Sequence, residues 1–193
     1  MSEKLNSYLN LPEAIIMQYD MVILYNVIKI TKPDNILELG TGGGLSTRIF
    51  ALAGSEISSG SEIQTKIVSV DIDAERQKNI SEIIKKEGFN NVTFATEDSI
   101  SFLRRNCQGV CDFIFIDTDH TYKQTLAEIL LTTSLISNKG YVFMHDTRYP
   151  EVWDAIQTFL RSNCSFNFID YCTPAGLGLI IKKTGDMWIP VRT

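Results

Sequence analysis

The chain has 193 residues, enough to bury a substantial core as a single domain spanning 1–193 and too few for two large independent ones. Hydrophobic residues make up 44% and charged residues 21%, a globular balance that excludes a disordered or fibrous chain. A formal net charge of -5 argues against nucleic acid or an anionic membrane as partner, because both need concentrated Lys and Arg.

From the N-terminus, Ala14 to Ile30 is apolar but interrupted by Gln18, Asp20, Asn26 and Lys29. It reads as a soluble helix, not a membrane span or a leader. Residues 1–32 are expected to form a helical extension. Ile15, Ile16, Val22 and Ile23 suit either a cover over the active-site mouth or a homodimer contact.

After residue 33 strands and helices alternate. Asn35–Leu39 is a short apolar strand ending in glycines, followed by a helix from Leu45 to Ala53 and a loop or frayed helix end over Gly54–Gln64. Lys66–Val70 is the second strand, and Asp73 caps a helix over Ala74–Glu87 with Ile80, Ile83 and Ile84 on one face and Gly88 at the stop. Val92–Ala95 is a third strand and Ser99–Arg105 a short helix. Asp112–Ile116 is apolar enough to be a central strand buried on both faces. A helix over Tyr122–Ile136 points Leu126, Ile129, Leu130 and Leu135 inward, and Lys139-Gly140 turns the chain into a strand at Tyr141–Met144. Pro150 opens a helix through Leu160. Phe166–Tyr171 and Leu177–Ile181 close the chain as an antiparallel pair, since Thr173-Pro174-Ala175-Gly176 is too short for a parallel crossover. The expected fold class is α/β, a Rossmann-like doubly wound seven-stranded sheet, mostly parallel with an antiparallel C-terminal hairpin strand.

Cys107, Cys111, Cys164 and Cys172 make no Cys-x-x-Cys pair, so reduced, packed thiols of a cytoplasmic protein are expected rather than a zinc site. Ligands in doubly wound sheets bind at the carboxyl ends of the strands. Glu38, Gly40, Gly42 and Gly44 alternate at the end of the first strand, where bare glycine lets a ligand approach the backbone. The second strand ends at Asp71, where a carboxylate can accept from both hydroxyls of a ribose.

These features, with Glu97-Asp98-Ser99, Asp112-Phe113-Ile114-Phe115-Ile116-Asp117 and the closing hairpin, resemble class I S-adenosylmethionine-dependent methyltransferases from about Ile36 to Lys182. Asp117-Thr118-Asp119-His120-Thr121-Tyr122 and Gly140 to Thr147 are similar to a bacterial O-methyltransferase-like family and, more distantly, to catechol and macrolide-sugar O-methyltransferases. The resemblance implies that Glu38, Gly40, Thr41, Gly42 and Gly44 hold the methionine end of the donor. Asp71, with Ile72 beside it, holds the ribose, and Glu97, Asp98 and Ser99 border the adenine, with Asp117 nearby. In metal-dependent relatives the positions of Asp117 and Asp146 bind magnesium. His145 stands where those relatives carry an acid or amide, a poorer partner for Mg2+.

Methyl transfer to a hydroxyl needs alignment and removal of one proton. His120 is the candidate base, with Asp117 as its partner, and it serves equally well as a scaffold residue bonded to Asp117. Tyr122, Arg148 and Tyr149 lie at the same edge, where a small-molecule or glycan acceptor would sit. Two other functions fit the fold class. One is an NAD(P)-dependent oxidoreductase, although Asp71 lies farther beyond Gly44 than the roughly 20 positions usual there. The other is a non-catalytic donor-binding module.

Overall fold

The computed structural model describes residues 2–12, 17–59, 64–106 and 111–183. In chain order the elements are α1 (Glu3–Leu9), α2 (Gln18–Thr31), β1 (Asn35–Leu39), α3 (Leu45–Ser58), β2 (Lys66–Asp71), α4 (Ala74–Lys86) and β3 (Val92–Thr96). They continue with α5 (Ser99–Arg105), β4 (Cys111–Ile116), α6 (Tyr122–Leu135), β5 (Ile136–Met144), α7 (Pro150–Ser162), β6 (Phe166–Asp170) and β7 (Gly178–Lys182).

The strands form one sheet in the order β3-β2-β1-β4-β5-β7-β6. Only the pairings of β7, with β5 and with β6, are antiparallel. The chain runs outward from β1 to β3 and then returns to the other side of β1 through β4, so the strand order reverses between β1 and β4. A crevice opens beyond the carboxyl ends of the strands at such a reversal.

Strand side chains alternate between two cores because successive Cβ atoms point to opposite faces. Phe113, Phe115 and Phe143 enter one core with α1 to α4, while Ile114, Ile116, Val142 and Met144 enter the other with α5 to α7. Phe50 of α3 meets Phe113 and Phe115 edge-on at ring distances of 5.8 and 5.5 Å. This double coverage is why β4 lacks the polar alternation of a one-sided sheet.

The N-terminal helices belong to the first core: Leu5, Tyr8, Met21, Leu24, Tyr25 and Ile28 are buried there. The Arg48 guanidinium covers the Tyr8 ring at 4.3 Å, and both side chains donate to Glu87. Ile15 and Ile16 lie outside the described residues, as do Cys107 and Trp188.

Of the two readings of Gly54–Gln64 the helix end holds as far as Ser58: α3 continues through it, because Gly54 and Ile57 are buried and Ser58 bonds back to the Gly54 carbonyl. Three local expectations are corrected. The Lys139-Gly140 turn is an irregularity inside β5, which starts directly after α6 and slips register between Cys111 and Phe113 of β4. Leu130 is 49% exposed and Ile83 36% exposed, because the buried stripes run through Thr125, Glu128, Ile129 and Thr132 of α6 and Gln77, Ile80 and Ile84 of α4. Cys164 and Cys172 are exposed rather than packed, although these two and half-buried Cys111 are free thiols as expected. Burial pushes the Cys111 thiol up to about 11, with Asp112 adding to it. Among the described residues no helix is long and apolar enough to cross a membrane.

Candidate active site

The site starts where β1 ends. The Gly40 amide donates to the Val70 carbonyl at 2.8 Å, extending the ladder one step beyond the strand, and the chain then turns through Gly40, Gly42 and Gly44, all at positive φ. At Gly40, φ is 92°, and an added Cβ would lie 1.9 Å from the Asp117 carbonyl oxygen. Glycine is demanded there twice, by the dihedral and by the neighbouring strand end.

The turn is fixed from below by Glu38. Its carboxylate accepts from Ser46 Oγ and Thr47 Oγ1, both at 2.6 Å, and from Ser69 Oγ, and the residue has no solvent exposure. All the partners of Glu38 among the described residues are hydroxyls behind the turn, so its carboxylate braces the turn from below. Thr41 is likewise 2% exposed, its hydroxyl bonded to Ser69 Oγ and Gln77 Nε2. Gly44 is the N-cap of α3, backed by Ile80.

Burial pushes the Glu38 carboxyl up to about 7 against the three hydroxyl bonds, which pull it down. A folded pKa above the unfolded value of 4.5 contributes stability that is full below pH 4.5 and is lost as pH rises through about 7. The unfolding free energy of the native chain relative to Glu38→Gln is therefore expected to fall by about 3 kcal/mol between about pH 4 and pH 8, read by urea denaturation.

Asp71 closes β2 and turns toward the glycines. Its Oδ2 accepts from the Thr41 and Gly42 amides at 3.1 and 3.2 Å, and its Oδ1 accepts from the Asp73 amide at 2.9 Å. A carboxylate has about four lone-pair directions, so it retains capacity for a ligand hydroxyl. Asp73 caps α4 as expected, accepting from Glu75 and Arg76 amides. Gly40, Gly42, Asp71, Ile72, Glu97, Asp98, Ser99 and Asp117 all line one crevice of about 380 Å³, with Arg76, Thr118 and Gln124 beside them. Ile72 offers an apolar side chain, 74% exposed. Asp98 also caps α5 by accepting from the Ser101 amide. A larger hollow of about 580 Å³ at the amino ends of the strands is lined by Asn35, Lys66 and Asn91 among others, and holds none of these strand-end acids.

At the far end of the crevice the acids of β4 and β5 meet. His120 Nε2 lies 2.7 Å from Asp146 Oδ2 and 4.0 Å from Asp117 Oδ1, and its ring stacks on Tyr149 at 4.7 Å. Asp146 is held at φ 55°, a left-handed conformation that a non-glycine residue adopts only where its surroundings impose it. Asp117, His120 and Asp146 are thus brought together as the sequence suggests. Tyr149, 52% exposed, joins them, whereas Tyr122 bonds toward Thr158 of α7 and Arg148 pairs with Asp170 at 3.3 Å.

His145 points into the same cluster from within. Its Nδ1 lies 3.4 Å from Asp117 Oδ1 and 3.2 Å from Asp146 Oδ2, and its Nε2 lies 3.1 Å from Asp20 Oδ2. Burial alone would lower its pKa, but the three carboxylates outweigh it and push it up. Burial likewise works against ionised Asp146, yet His145 and His120 hold its carboxyl below the usual range. Sequence reasoning missed Asp20. The signal was an acid within the buried stripe Asp20, Met21, Leu24, Tyr25 and Ile28 of α2, because a fully buried charge needs a partner.

The three groups also fit a divalent cation. One atom from each of Asp117, His120 and Asp146 lies within 4.8 Å of the others. His120 Nε2 is sealed from solvent and has no aligned hydrogen-bond partner despite its closeness to Asp146. An imidazole nitrogen with two carboxylates suits manganese, iron or zinc better than magnesium, which prefers oxygen.

A methyltransferase-domain family model matches residues 37–147, more than half of the chain, running from β1 through the Asp117 and Asp146 strand ends. The chain belongs to this methyltransferase family. Solved structures of similar fold include a putative caffeoyl-CoA O-methyltransferase from Staphylococcus aureus, at 16% identity and TM-score 0.72, covering 93% of this chain and 96% of that one. An SAH-bound methyltransferase from Podospora anserina matches at 18% identity and TM-score 0.73, covering 95% and 89%. An O-methyltransferase from Bacillus cereus in complex with SAH matches at 18% identity and TM-score 0.70, covering 95% and 92%. No curated protein matches the chain in sequence. The likeness to those structures is one of fold.

Proposed function

We propose that this methyltransferase transfers the methyl group of S-adenosylmethionine to a hydroxyl of a small molecule or sugar. The observation that carries the reading is the single crevice that joins the glycine turn, Asp71 and the Glu97–Ser99 corner to Asp117 at the edge of the histidine–acid cluster. The bare backbone at Gly40 and Gly42 admits the methionine end, Asp71 accepts from a ribose hydroxyl, and Ile72 packs on the base.

The sulfonium places its methyl toward Asp117, and the acceptor oxygen approaches from the Tyr149 side in line with the breaking S–C bond. The new O–CH3 bond forms as the S–C pair returns to sulfur, giving the neutral thioether, and the hydroxyl proton passes to His120 Nδ1, the ring nitrogen turned away from Asp146. Asp146 at 2.7 Å and Asp117 at 4.0 Å stabilise the charge that His120 gains. His145, anchored on Asp20, backs the two acids from within, its Nδ1 3.4 Å from Asp117 and 3.2 Å from Asp146. Asp117, His120 and Asp146 would also hold a divalent cation, which would supply Lewis-acid polarisation of the hydroxyl.

With methyl-labelled S-adenosylmethionine and a panel of sugars and phenols, label is expected in the acceptor together with an equal amount of S-adenosylhomocysteine. Binding of NAD with no affinity for S-adenosylhomocysteine would move the chain to the oxidoreductase reading. Binding of S-adenosylhomocysteine without transfer to any hydroxyl would leave a donor-binding module.

A further inference from the structure

Glu128 sits inside α6 with no solvent exposure, and the chemistry above does not use it. Its carboxylate is the meeting point of donors from three separate segments. Ser99 Oγ, at the start of α5, donates to Oε1. Thr118 Oγ1, just after β4, donates to Oε2 at 2.7 Å. Gln124 Nε2, one turn earlier on α6, donates to Oε1 at 3.1 Å and also to Ser99 Oγ at 2.8 Å. All three donors line the donor crevice. A buried carboxylate that gathers three walls of a crevice fixes which polar atoms those walls can offer.

The bond directions follow from the donor inventory. Ser99 has one proton, which Glu128 takes, so its oxygen accepts from Gln124. Both amide protons of Gln124 are then engaged, and its carbonyl oxygen is the atom left for a ligand. Burial pushes the Glu128 carboxyl above its ordinary range, with the hydrogen bonds from Ser99, Thr118 and Gln124 pulling against the rise and Asp98 adding to it.

We propose that Gln124 reads the donor base by accepting a hydrogen bond from the exocyclic amine of adenine, and that Glu128 is the positioning residue that keeps the Gln124 carbonyl facing the crevice. The proposal rests on the S-adenosylmethionine reading of the crevice. Hypoxanthine carries a carbonyl where adenine carries the amine, so two acceptors would face each other and the inosine nucleoside is rejected.

The test is the ratio of affinities for S-adenosylhomocysteine and S-inosylhomocysteine, measured by calorimetry on the full chain. The native chain is expected to favour the adenine form by about tenfold or more. In Gln124→Met the ratio falls toward one, mainly through weaker binding of the adenine form. In Glu128→Gln the amide of Gln124 is free to turn its NH2 inward, and the ratio falls to one or reverses. A merely structural role for Glu128 would weaken both nucleosides alike and leave the ratio as it was. Gln124→Met alters a half-buried side chain on the crevice wall, so it reports even if Glu128→Gln does not fold. A ratio near one in the native chain, or an unchanged ratio in the folded variants, overturns the proposal while the donor reading stands. Failure of the native chain to bind S-adenosylhomocysteine at all overturns both.

Discussion

Replacing His120 with alanine is expected to lower turnover by about a hundred- to ten-thousandfold, the range for loss of a positioned general base. Donor affinity is expected to stay within about twofold, because His120 lies on the Tyr149 side of Asp117 and does not line the donor crevice. Steady-state kinetics with S-adenosylmethionine, paired with calorimetry of S-adenosylhomocysteine, separates the two quantities. An equal loss of affinity and rate would make His120 a scaffold for the crevice. The burial of Nε2 between two carboxylates favours the chemical role, since the charge gained on proton transfer is met by Asp146 and Asp117 already in place. Rate loss in His120→Ala that is matched by a chelator acting on the native chain would assign His120 to a cation instead.

The largest effect on stability is expected from Gly40→Ala. The new Cβ would fall 1.9 Å from the Asp117 carbonyl oxygen and 2.6 Å from its carbonyl carbon, both backbone atoms that cannot swing aside. Separating β1 from β4 at that point would stretch the bond from the Asp117 amide to the Leu39 carbonyl, now 2.8 Å. Overpacking of this kind, added to the strain of a left-handed alanine, comes to about 3 kcal/mol or more. For a chain of this length that corresponds to a fall in Tm of roughly 6–12 °C, readable by calorimetric or circular-dichroism melting. Gly43→Ala is the control, because a Cβ there meets nothing within 4 Å and the residue is not among those at positive φ.

The sheet and the gathering of the strand-end residues into one crevice are legible because their signals are local. Apolar runs ending in Gly40, Asp71 and Asp117 mark strand tips, and the short Thr173–Gly176 connection admits only an antiparallel neighbour. What stayed hidden depends on partners distant in sequence. Nothing near Asp20 announces that it meets His145, and its presence in a hydrophobic stretch read instead as a sign of solubility. Glu128 was invisible to apolar periodicity, which picked Leu130 for the core although the α6 stripe facing the sheet carries threonines and an acid. Glu38 reads as a donor contact because it belongs to the glycine motif, while its burial among Ser46, Thr47 and Ser69 is a bracing of the turn that the motif alone does not announce. The tertiary position of each acid decided its role, and that position is set by crossings between elements rather than by spacing along the chain.

The measurement that bears most directly on the central claim is a calorimetric titration of S-adenosylhomocysteine into the native chain and into Asp71→Asn. The account predicts one site per native chain and at least about a tenfold weaker site in the variant, since an amide NH2 cannot accept from a ribose hydroxyl. Absence of binding to the native chain, or equal affinity in the folded variant, would contradict it.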